Sequence, residues 1–392
     1  MTLQTIAEKY NDYQIEMRRY FHKNPEVGGK EYETCRKIRD ELDKNGIPWV
    51  HCGMETGTLA TIKGKKPGKT ILLRADIDAL TVVEETGAEY ASTNDGVMHA
   101  CGHDCHISML LTAARILNDM KDELCGTVKL AFQPAEEICE GAEAMIAEGA
   151  MTGVDGCFAI HVWTDVPSGK ICCKTGPMMA SVGQFFVDIK GKGGHGAAPH
   201  HCVDAAVVAS SVVTNLQSIV SRNLNPADAG VITIGCMEAG SLWNVVAEHA
   251  HLEGTTRCFD KEVQKQIQEK METVIQNTAN VFGAEAELNY VHLAAPTIND
   301  EDMAALVCNS SKKVLGEDAL TDMVLTMAGE DFSYFIEESP GAIAFLGTGN
   351  PDCGAVYANH NGHFCVDESV LIKGAMLYAQ VALDFNRKTT AG

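Results

Sequence analysis

The spacing of apolar residues along much of the chain is that of helices. Between residues 6 and 46, apolar and charged residues recur at helical spacing, interrupted at residues 22–29 by a proline and two glycines. Such spacing places apolar side chains on one helix face, so we predict two helices joined by a turn. Further helices are predicted at residues 107–120, 141–149, 204–223, 261–282, 299–315 and 369–386.

Short apolar runs between turn residues predict the strands. Runs at residues 70–73, 126–132, 156–163 and 341–346 are nearly continuous, which is typical of buried strands. They alternate with helices, and this order predicts an α/β fold. We expect a mixed sheet with helices on both faces, formed by residues 1–180 and 295–392.

The pattern changes near Ser181. Residues 184–191 alternate like a strand with one exposed face, and a helix, two strands at 230–235 and 250–257, a second helix and a strand at 284–291 follow. This order predicts a smaller α+β domain of the ferredoxin-like type at residues 181–294, inserted into the larger one.

Composition agrees with a globular chain and excludes several partners. The chain has 392 residues, which is too long for one ordinary core. Acidic residues outnumber basic ones by 53 to 31, and the formal net charge is −22. Because this negative field repels nucleic acid and anionic lipid, we expect neither as a partner. No apolar run approaches the ~20 residues of a membrane helix.

The cysteine content indicates a reducing compartment. There are fifteen cysteines, an odd number, in a chain much longer than a small secreted module. The first residues lack a basic start followed by an apolar run, so we expect no signal peptide and a cytoplasmic location. Scattered cysteines such as Cys172 and Cys173 are then expected to fill the core.

The densest set of metal-binding side chains lies at residues 98–106. These nine positions contain three imidazoles, two thiols and a carboxylate. Cys101 and His103 can face one ion if the segment is extended or tightly turned around Gly102. A thiolate with an imidazole suits zinc or another late divalent metal. The alternative is a buried thiol beside a histidine turn that binds no ion.

Acidic residues follow two of the predicted buried strands. Asp76 and Asp78 follow the first, and Glu136 and Glu137 follow the second. Ligands of α/β sheets gather beyond the carboxyl ends of strands, so these acids could orient or bind a cation. One glutamate could bind while its neighbour acts as a base, although solvated turns are the alternative. His161, inside an apolar run, is either a ligand or a hydrogen-bonded core histidine.

Two further features have ordinary explanations. His22 ends a predicted helix, where a histidine is more often a cap than a functional residue. The glycines of residues 191–196 could suggest a phosphate-binding loop, but neither the Gly-Lys-Ser/Thr ending nor the dinucleotide spacing is present. We therefore expect no phosphate site there.

Five blocks together resemble the metal-dependent N-acyl-amino-acid amidohydrolases, a family that includes aminoacylases and zinc carboxypeptidases. The blocks are residues 73–80, 96–104, 133–137, 191–196 and 329–332. The hippurate and auxin-conjugate hydrolases are the most similar branch. The resemblance implies two divalent metal ions, with zinc first and manganese, cobalt or nickel as alternatives. It implies hydrolysis of small N-acyl-L-amino acids, and a homodimer or higher oligomer in which the inserted domain serves as lid and dimerisation domain.

Other activities stay open at this point. The chain could be a dipeptidase or an N-acetyldiaminopimelate deacetylase, which cleave related amides. It could also be a metal-binding scaffold without activity, since a fold can persist after its activity is lost.

The resemblance also implies roles for individual residues. The metal ligands it implies are Cys101, His103, Glu137, His161 and His360. His363 is a rival for the last position. Glu136 corresponds to the general base, and the residues expected behind the ligands are Asp78, Asp76 and Asp104. In the inserted domain, His195 would help stabilise the transition state, and Asn244 and Arg257 would hold the substrate carboxylate.

Overall fold

The computed structural model describes residues 2–323 and 325–387, which form two compact units. The large unit holds the described residues of Met1–Met178, Ile298–Leu325 and Asp331–Gly392, and the small unit holds Met179–Thr297 and Thr326–Glu330. The sequence analysis places the last of these segments in the larger domain, whereas the structure groups it with the small unit. Its Ala328 carbonyl accepts a hydrogen bond from the Ala180 N–H, and this bond ties it to the small unit.

Eight helices of the described chain agree in position with the apolar periodicity, whereas two short ones, Leu3–Glu8 and Phe332–Glu338, are not predicted by it. In chain order, the helices are α1 Leu3–Glu8, α2 Asn11–Lys23, α3 Tyr32–Lys44, α4 His103–Asp119, α5 Gly141–Ala147, α6 Ala205–Ser218, α7 Lys261–Phe282, α8 Glu301–Leu315, α9 Phe332–Glu338 and α10 Leu371–Arg387. Helix α4 begins four residues before the predicted start. Its N-cap, Gly102, has φ 92°, a left-handed conformation that glycine adopts readily.

The strands include all the predicted ones and several short ones. They are β1 Trp49–His51, β2 Thr58–Lys63, β3 Lys66–Asp76, β4 Cys125–Gln133, β5 Gly156–Pro167, β6 Ile171–Cys172, β7 Gly176–Met179, β8 Val182–Lys190, β9 Gly194–His195, β10 Gly230–Ala239, β11 Val245–Val246, β12 His249–Cys258, β13 Glu285–Ala294, β14 Thr297–Asn299 and β15 Gly341–Gly349.

A mixed sheet forms the centre of the large unit. Its strand order is β1-β2-β4-β3-β5-β15-β6. The four strands β4, β3, β5 and β15 run parallel, whereas β1, β2 and β6 pair antiparallel. The predicted α/β class with a mixed sheet is therefore confirmed.

Helices cover both faces of this sheet. On β3, Ile71, Leu73 and Ala75 belong to the main core with residues of α4 and α10. The intervening Arg74 lies against the Phe332 ring of α9, 5.8 Å from its centroid. Because successive strand residues point to opposite faces, α4 and α10 lie on one face and α9 on the other. The parallel strands therefore end at one edge, between the two helical layers.

The small unit follows the order β8-α6-β10-β12-α7-β13. Its antiparallel sheet has the order β10-β12-β8-β13. Apolar residues of α6 and α7, such as Val212 and Ile275, form its core with Phe185 and Val187 of β8. This is the split β-α-β arrangement expected for the inserted domain. Strands β9 and β11 pair with each other as a separate two-stranded ribbon.

The cysteines and the helices of the described chain can be compared with the expectations from the sequence. All fifteen cysteines lie in the described part of the chain and are free thiols. Among the described residues, no helix combines the length and the apolar character needed to cross a membrane.

Candidate metal centre

The carboxyl ends of neighbouring parallel strands bring the candidate residues together. Strand β3 ends at Asp76, and β4 ends at Gln133, just before Glu136 and Glu137. His161 lies in β5, on the other side of β3. Since β3, β4 and β5 are parallel, these residues share one edge of the sheet. Helix α4 begins at the same place with His103.

The five predicted ligands and Glu136 form a continuous set of possible metal ligands. Donor atoms within 4.8 Å of one another are found in the sets Cys101–His103–His161, Cys101–Glu137–His360 and His103–Glu136–Glu137. Cys101 Sγ lies 3.5 Å from His161 Nε2. The two carboxylate oxygens of Glu137 face different imidazoles, at 3.8 Å from His103 Nε2 and 3.6 Å from His360 Nε2. This geometry places Glu137 between two groups of donors.

Hydrogen bonds orient two of the imidazoles. His103 Nδ1 lies 3.1 Å from Asp78 Oδ1, and His161 Nδ1 lies 2.8 Å from the Val162 carbonyl. Each ring therefore turns its Nε2 toward the other donors, which is how supporting groups orient metal-binding histidines. Among the described residues, His103 Nε2 and Glu137 Oε1 are buried and have no hydrogen-bond partner. A cation would satisfy both atoms.

His360, rather than His363, lies against the other donors. The His360 N–H donates to the Ala100 carbonyl at 2.8 Å, and the Asn359 amide donates to the Cys101 carbonyl at 2.9 Å. These bonds hold the loop on the segment that carries Cys101. The His363 ring instead contacts Glu85, with Nδ1 2.9 Å from its carbonyl and Nε2 3.3 Å from its carboxylate.

The pKa values of three buried side chains of this set are shifted so that their protonated forms are favoured. Burial raises the pKa of Glu137 to about 7. Burial lowers the pKa of His103, but the charges of Asp76 and Asp78 outweigh it and raise that pKa to about 10. Burial, and then the charge of Glu137, raises the pKa of the Cys101 thiol well above its usual range. A divalent cation would replace these protons, so the donor set fits one.

A second layer of buried hydrogen bonds supports the centre. Asp76 binds His106 Nδ1 and Arg74 Nη1, and His106 Nε2 accepts a hydrogen bond of 2.9 Å from the Val162 N–H. His106 therefore connects the end of β3 with the strand that carries His161. Sequence reasoning did not assign His106 a role, although its spacing of three from His103 on a helix could have indicated one.

Asp104 contacts residues of helix α2 and not the possible metal ligands. Its carboxylate lies 2.9 Å from Arg18 Nε and 2.8 Å from His22 Nδ1. His22 Nε2 lies 3.2 Å from Glu84, so the ring joins two buried carboxylates and does not cap helix α2. Asp104 thus holds α2 against α4, whereas Asp76 and Asp78 contact the imidazoles of the centre.

Of the three predicted residues of the small unit, two lie on strands, and Asn244 lies in the turn before β11. His195 ends β9, and its register partner in β11 is Val245, next to Asn244. The Gly196 N–H donates to the Asn244 carbonyl at 2.9 Å, so His195 and Asn244 lie together. Arg257 lies on β12, opposite Val231, and its Nη1 donates to the Thr256 carbonyl at 2.9 Å.

Comparison with known proteins agrees with this geometry. Residues 72–384 match the family described as peptidase family M20/M25/M40. The chain is 40% identical over 379 residues to N-acetyl-L-cysteine deacetylase of Bacillus subtilis, which covers 96% of this chain and 89% of that one. It is 36% identical over 384 residues to IAA-amino acid hydrolase ILR1-like 4 of Arabidopsis thaliana, covering 96% and 87%.

A solved structure shows the same fold. The Bacillus subtilis YXEP protein, described as a dinuclear metal-binding peptidase of the M20 family, superposes with a TM-score of 0.84 at 34% identity. The match covers 96% of this chain and 98% of that one.

Proposed function

Because the chain belongs to peptidase family M20/M25/M40 and is a metal-dependent amidohydrolase, we propose that it hydrolyses N-acyl-L-amino acids to a carboxylate and a free amino acid. The observation that carries the proposal is the pair of adjacent glutamates. Glu136 and Glu137 both lie within 4.8 Å of His103 Nε2. One carboxylate can therefore bind a cation while the other acts as a base beside it.

We propose that the five clustered side chains hold two divalent ions. These ligands are Cys101, His103, Glu137, His161 and His360. When bound, the ions would supply Lewis acidity that polarises the amide carbonyl and lowers the pKa of a water from 15.7 to about 7. Thiolate and imidazole donors favour zinc, and manganese, cobalt or nickel are the alternatives.

Glu136 is proposed as the proton carrier. Its side chain is 9% exposed, and its carboxylate lies 3.9 Å from His103 Nε2. It would take a proton from the attacking water and deliver it to the amide nitrogen as the C–N bond breaks. Asp78 and Asp76 would keep the imidazoles of His103 and His106 in fixed orientations.

The small unit is proposed to bind the substrate. His195 would donate to the oxyanion, and Asn244 and Arg257 would bind the carboxylate, for which the planar guanidinium is suited.

We also propose a homodimer in the cytoplasm. The free thiols support a reducing compartment, and light scattering on the purified protein tests the dimer.

A panel of substrates tests the proposed function. Metal-stripped protein is reconstituted separately with zinc and with manganese, and then supplied with N-acetyl, N-benzoyl and indoleacetyl amino acids and with dipeptides. We expect metal-dependent release of the free amino acid from at least one acyl conjugate. Cleavage of dipeptides alone would favour the dipeptidase alternative, and no cleavage despite full metal loading would contradict the proposal.

A further inference from the structure

A turn with unusual backbone geometry presents Glu136. Ala135, the residue before it, has φ 54°, in the left-handed region that residues with a Cβ rarely adopt. Ala135 is fully buried, so surrounding contacts must maintain this conformation. Its carbonyl accepts hydrogen bonds from the Glu140 and Gly141 N–H groups, at 3.1 and 3.3 Å.

The N–H group of Ala135 is bound by a distant carboxylate. It donates to Glu31 Oε1 at 2.8 Å, across 104 positions of sequence. The same carboxylate accepts from the Gly29 N–H at 3.0 Å and from the Thr56 hydroxyl at 2.8 Å. The Glu31 side chain has no solvent exposure. These bonds place a fixed, buried acceptor behind the Glu136 turn.

A second carboxylate binds the N–H on the other side of Glu136. The Glu137 N–H donates to Asp78 Oδ2 at 3.0 Å. Gly28 lies close to both Asp78 and Ala135, because a Cβ at Gly28 would be 3.2 Å from Asp78 Oδ2 and 3.3 Å from Ala135 Cα. The backbone on each side of Glu136 is therefore held by a buried carboxylate.

From this arrangement we infer that Glu31 is a positioning residue for Glu136, because its carboxylate holds the left-handed turn that presents the base. The inference rests on the proposed function, in which Glu136 moves the proton. Glu31 itself touches neither the donor atoms of the centre nor the reacting groups. Its contribution is the orientation of Glu136, and misplacement of a reacting group by about 1 Å can cost around 10²-fold in rate.

The chain offers a closely matched control. The Glu26 carboxylate also accepts from two backbone N–H groups and a threonine hydroxyl, but these belong to Glu33 and Thr34 at the start of α3. Glu26→Ala therefore removes the same kind of bonds from the same segment without releasing the Ala135 N–H.

Steady-state kinetics of metal-loaded variants tests the inference. For Glu31→Ala we expect kcat to fall by about 10–100-fold, KM to change by less than about twofold, and both metal equivalents to stay bound. In Glu31→Gln, one amide oxygen can still accept from both Gly29 and Ala135, so part of the lost kcat should return. Glu26→Ala should keep kcat within about twofold of wild type.

Hydrogen exchange on the metal-free protein supplies a readout that does not depend on activity. Glu31→Ala should speed exchange in the peptide that covers residues 133–141, whereas Glu26→Ala should not. If Glu31→Ala does not fold, Thr56→Val, which removes one donor to the carboxylate, should change kcat and exchange in the same direction by less.

Equal effects of Glu31→Ala and Glu26→Ala on kcat and on exchange would overturn the inference. If wild-type protein hydrolysed no N-acyl amino acid, the proposed function would fail instead. The exchange comparison would still show whether Glu31 holds the turn.

Discussion

Asp78 contacts the proposed metal centre through both of its oxygens. Oδ1 lies 3.1 Å from His103 Nδ1, and Oδ2 accepts from the Glu137 N–H at 3.0 Å. In Asp78→Asn only one oxygen remains, so one of these N–H groups must face an amide NH₂. We expect metal affinity to fall by about 10–100-fold, measured by competition with a chromophoric chelator.

Asp188→Asn is the matched control for this prediction. Asp188 also binds a histidine, with Oδ1 2.7 Å from His251 Nδ1, but it is 75% exposed and lies in the small unit. Its substitution should leave metal affinity unchanged. Equal affinities of Asp78→Asn and wild-type protein would show that Asp78 does not support the ligands.

At the residue scale, the sequence predicted the possible metal ligands better than the residues that hold them or their neighbours in place. Cys101, His103 and Glu137 belong to dense motifs, and the structure brings them together. Glu31 was missed because its partners Thr56 and Ala135 are 25 and 104 positions away. Such contacts depend on the fold, and no local pattern indicates them.

At the scale of elements, the start of α4 determines where Cys101 and His103 point. A Cβ at Gly102 would lie 2.4 Å from Val162 Cγ2, next to His161. Gly102→Ala therefore forces Val162 or the helix to move. We expect the free energy of unfolding to fall by about 1–3 kcal/mol through overpacking, beyond the cost of the left-handed conformation, together with weaker metal binding.

Gly87→Ala separates the cost of overpacking from the cost of the left-handed conformation. Gly87 also has a left-handed φ, 68°, but a Cβ there would meet no atom within 4 Å. Urea unfolding should show a smaller loss for Gly87→Ala and unchanged metal affinity. Similar losses in both variants would contradict the overpacking argument.

A charged network connects α3 with α4. Glu41 binds Lys37, Lys44 and Arg115 at 2.7–2.9 Å. Burial alone would raise the pKa of Glu41, but the bonds from Lys37 and Lys44 lower it to about 2. A lowered carboxyl pKa stabilises the fold above the unfolded value of 4.5, and this stabilisation is lost as the pH falls from there toward 2.

Glu41→Gln tests this network. Because Lys44 is exposed and its bond is screened by solvent, we expect a loss of only about 1–2 kcal/mol at pH 7, measured by urea unfolding. The difference from wild type should shrink as the pH is lowered below 4.5. A difference that is independent of pH would show that shape, and not charge, accounts for the effect.

Periodicity predicted the long elements and missed the short ones. Helices such as α7, with 22 residues, have several turns of apolar spacing. Strands β6, β9 and β11 have two residues each, too few to show a period. The start of α4 was misplaced because its first residues, His103 to His106, are polar or small yet buried. Such burial reflects the centre and not the apolar pattern.

At the scale of the whole molecule, the five proposed ligands all belong to the large unit, although His360 is 199 positions from His161. The resemblance of ordered motifs, and not periodicity, predicted that these distant residues meet. The roles of His195, Asn244 and Arg257 in the small unit stay predictions. The assignment of residues 326–330 failed because chain order alone does not show which unit a short segment joins.

The most direct test of the account is Glu136→Gln, with turnover and metal content measured on the same sample. We expect two metal equivalents per chain, unchanged from wild type, and a loss of kcat of at least about 10²-fold, because the amide cannot accept the proton of the attacking water. Turnover within tenfold of wild type at full metal loading would contradict the assignment of Glu136 as the base. Loss of one metal equivalent would instead show that Glu136 is a ligand.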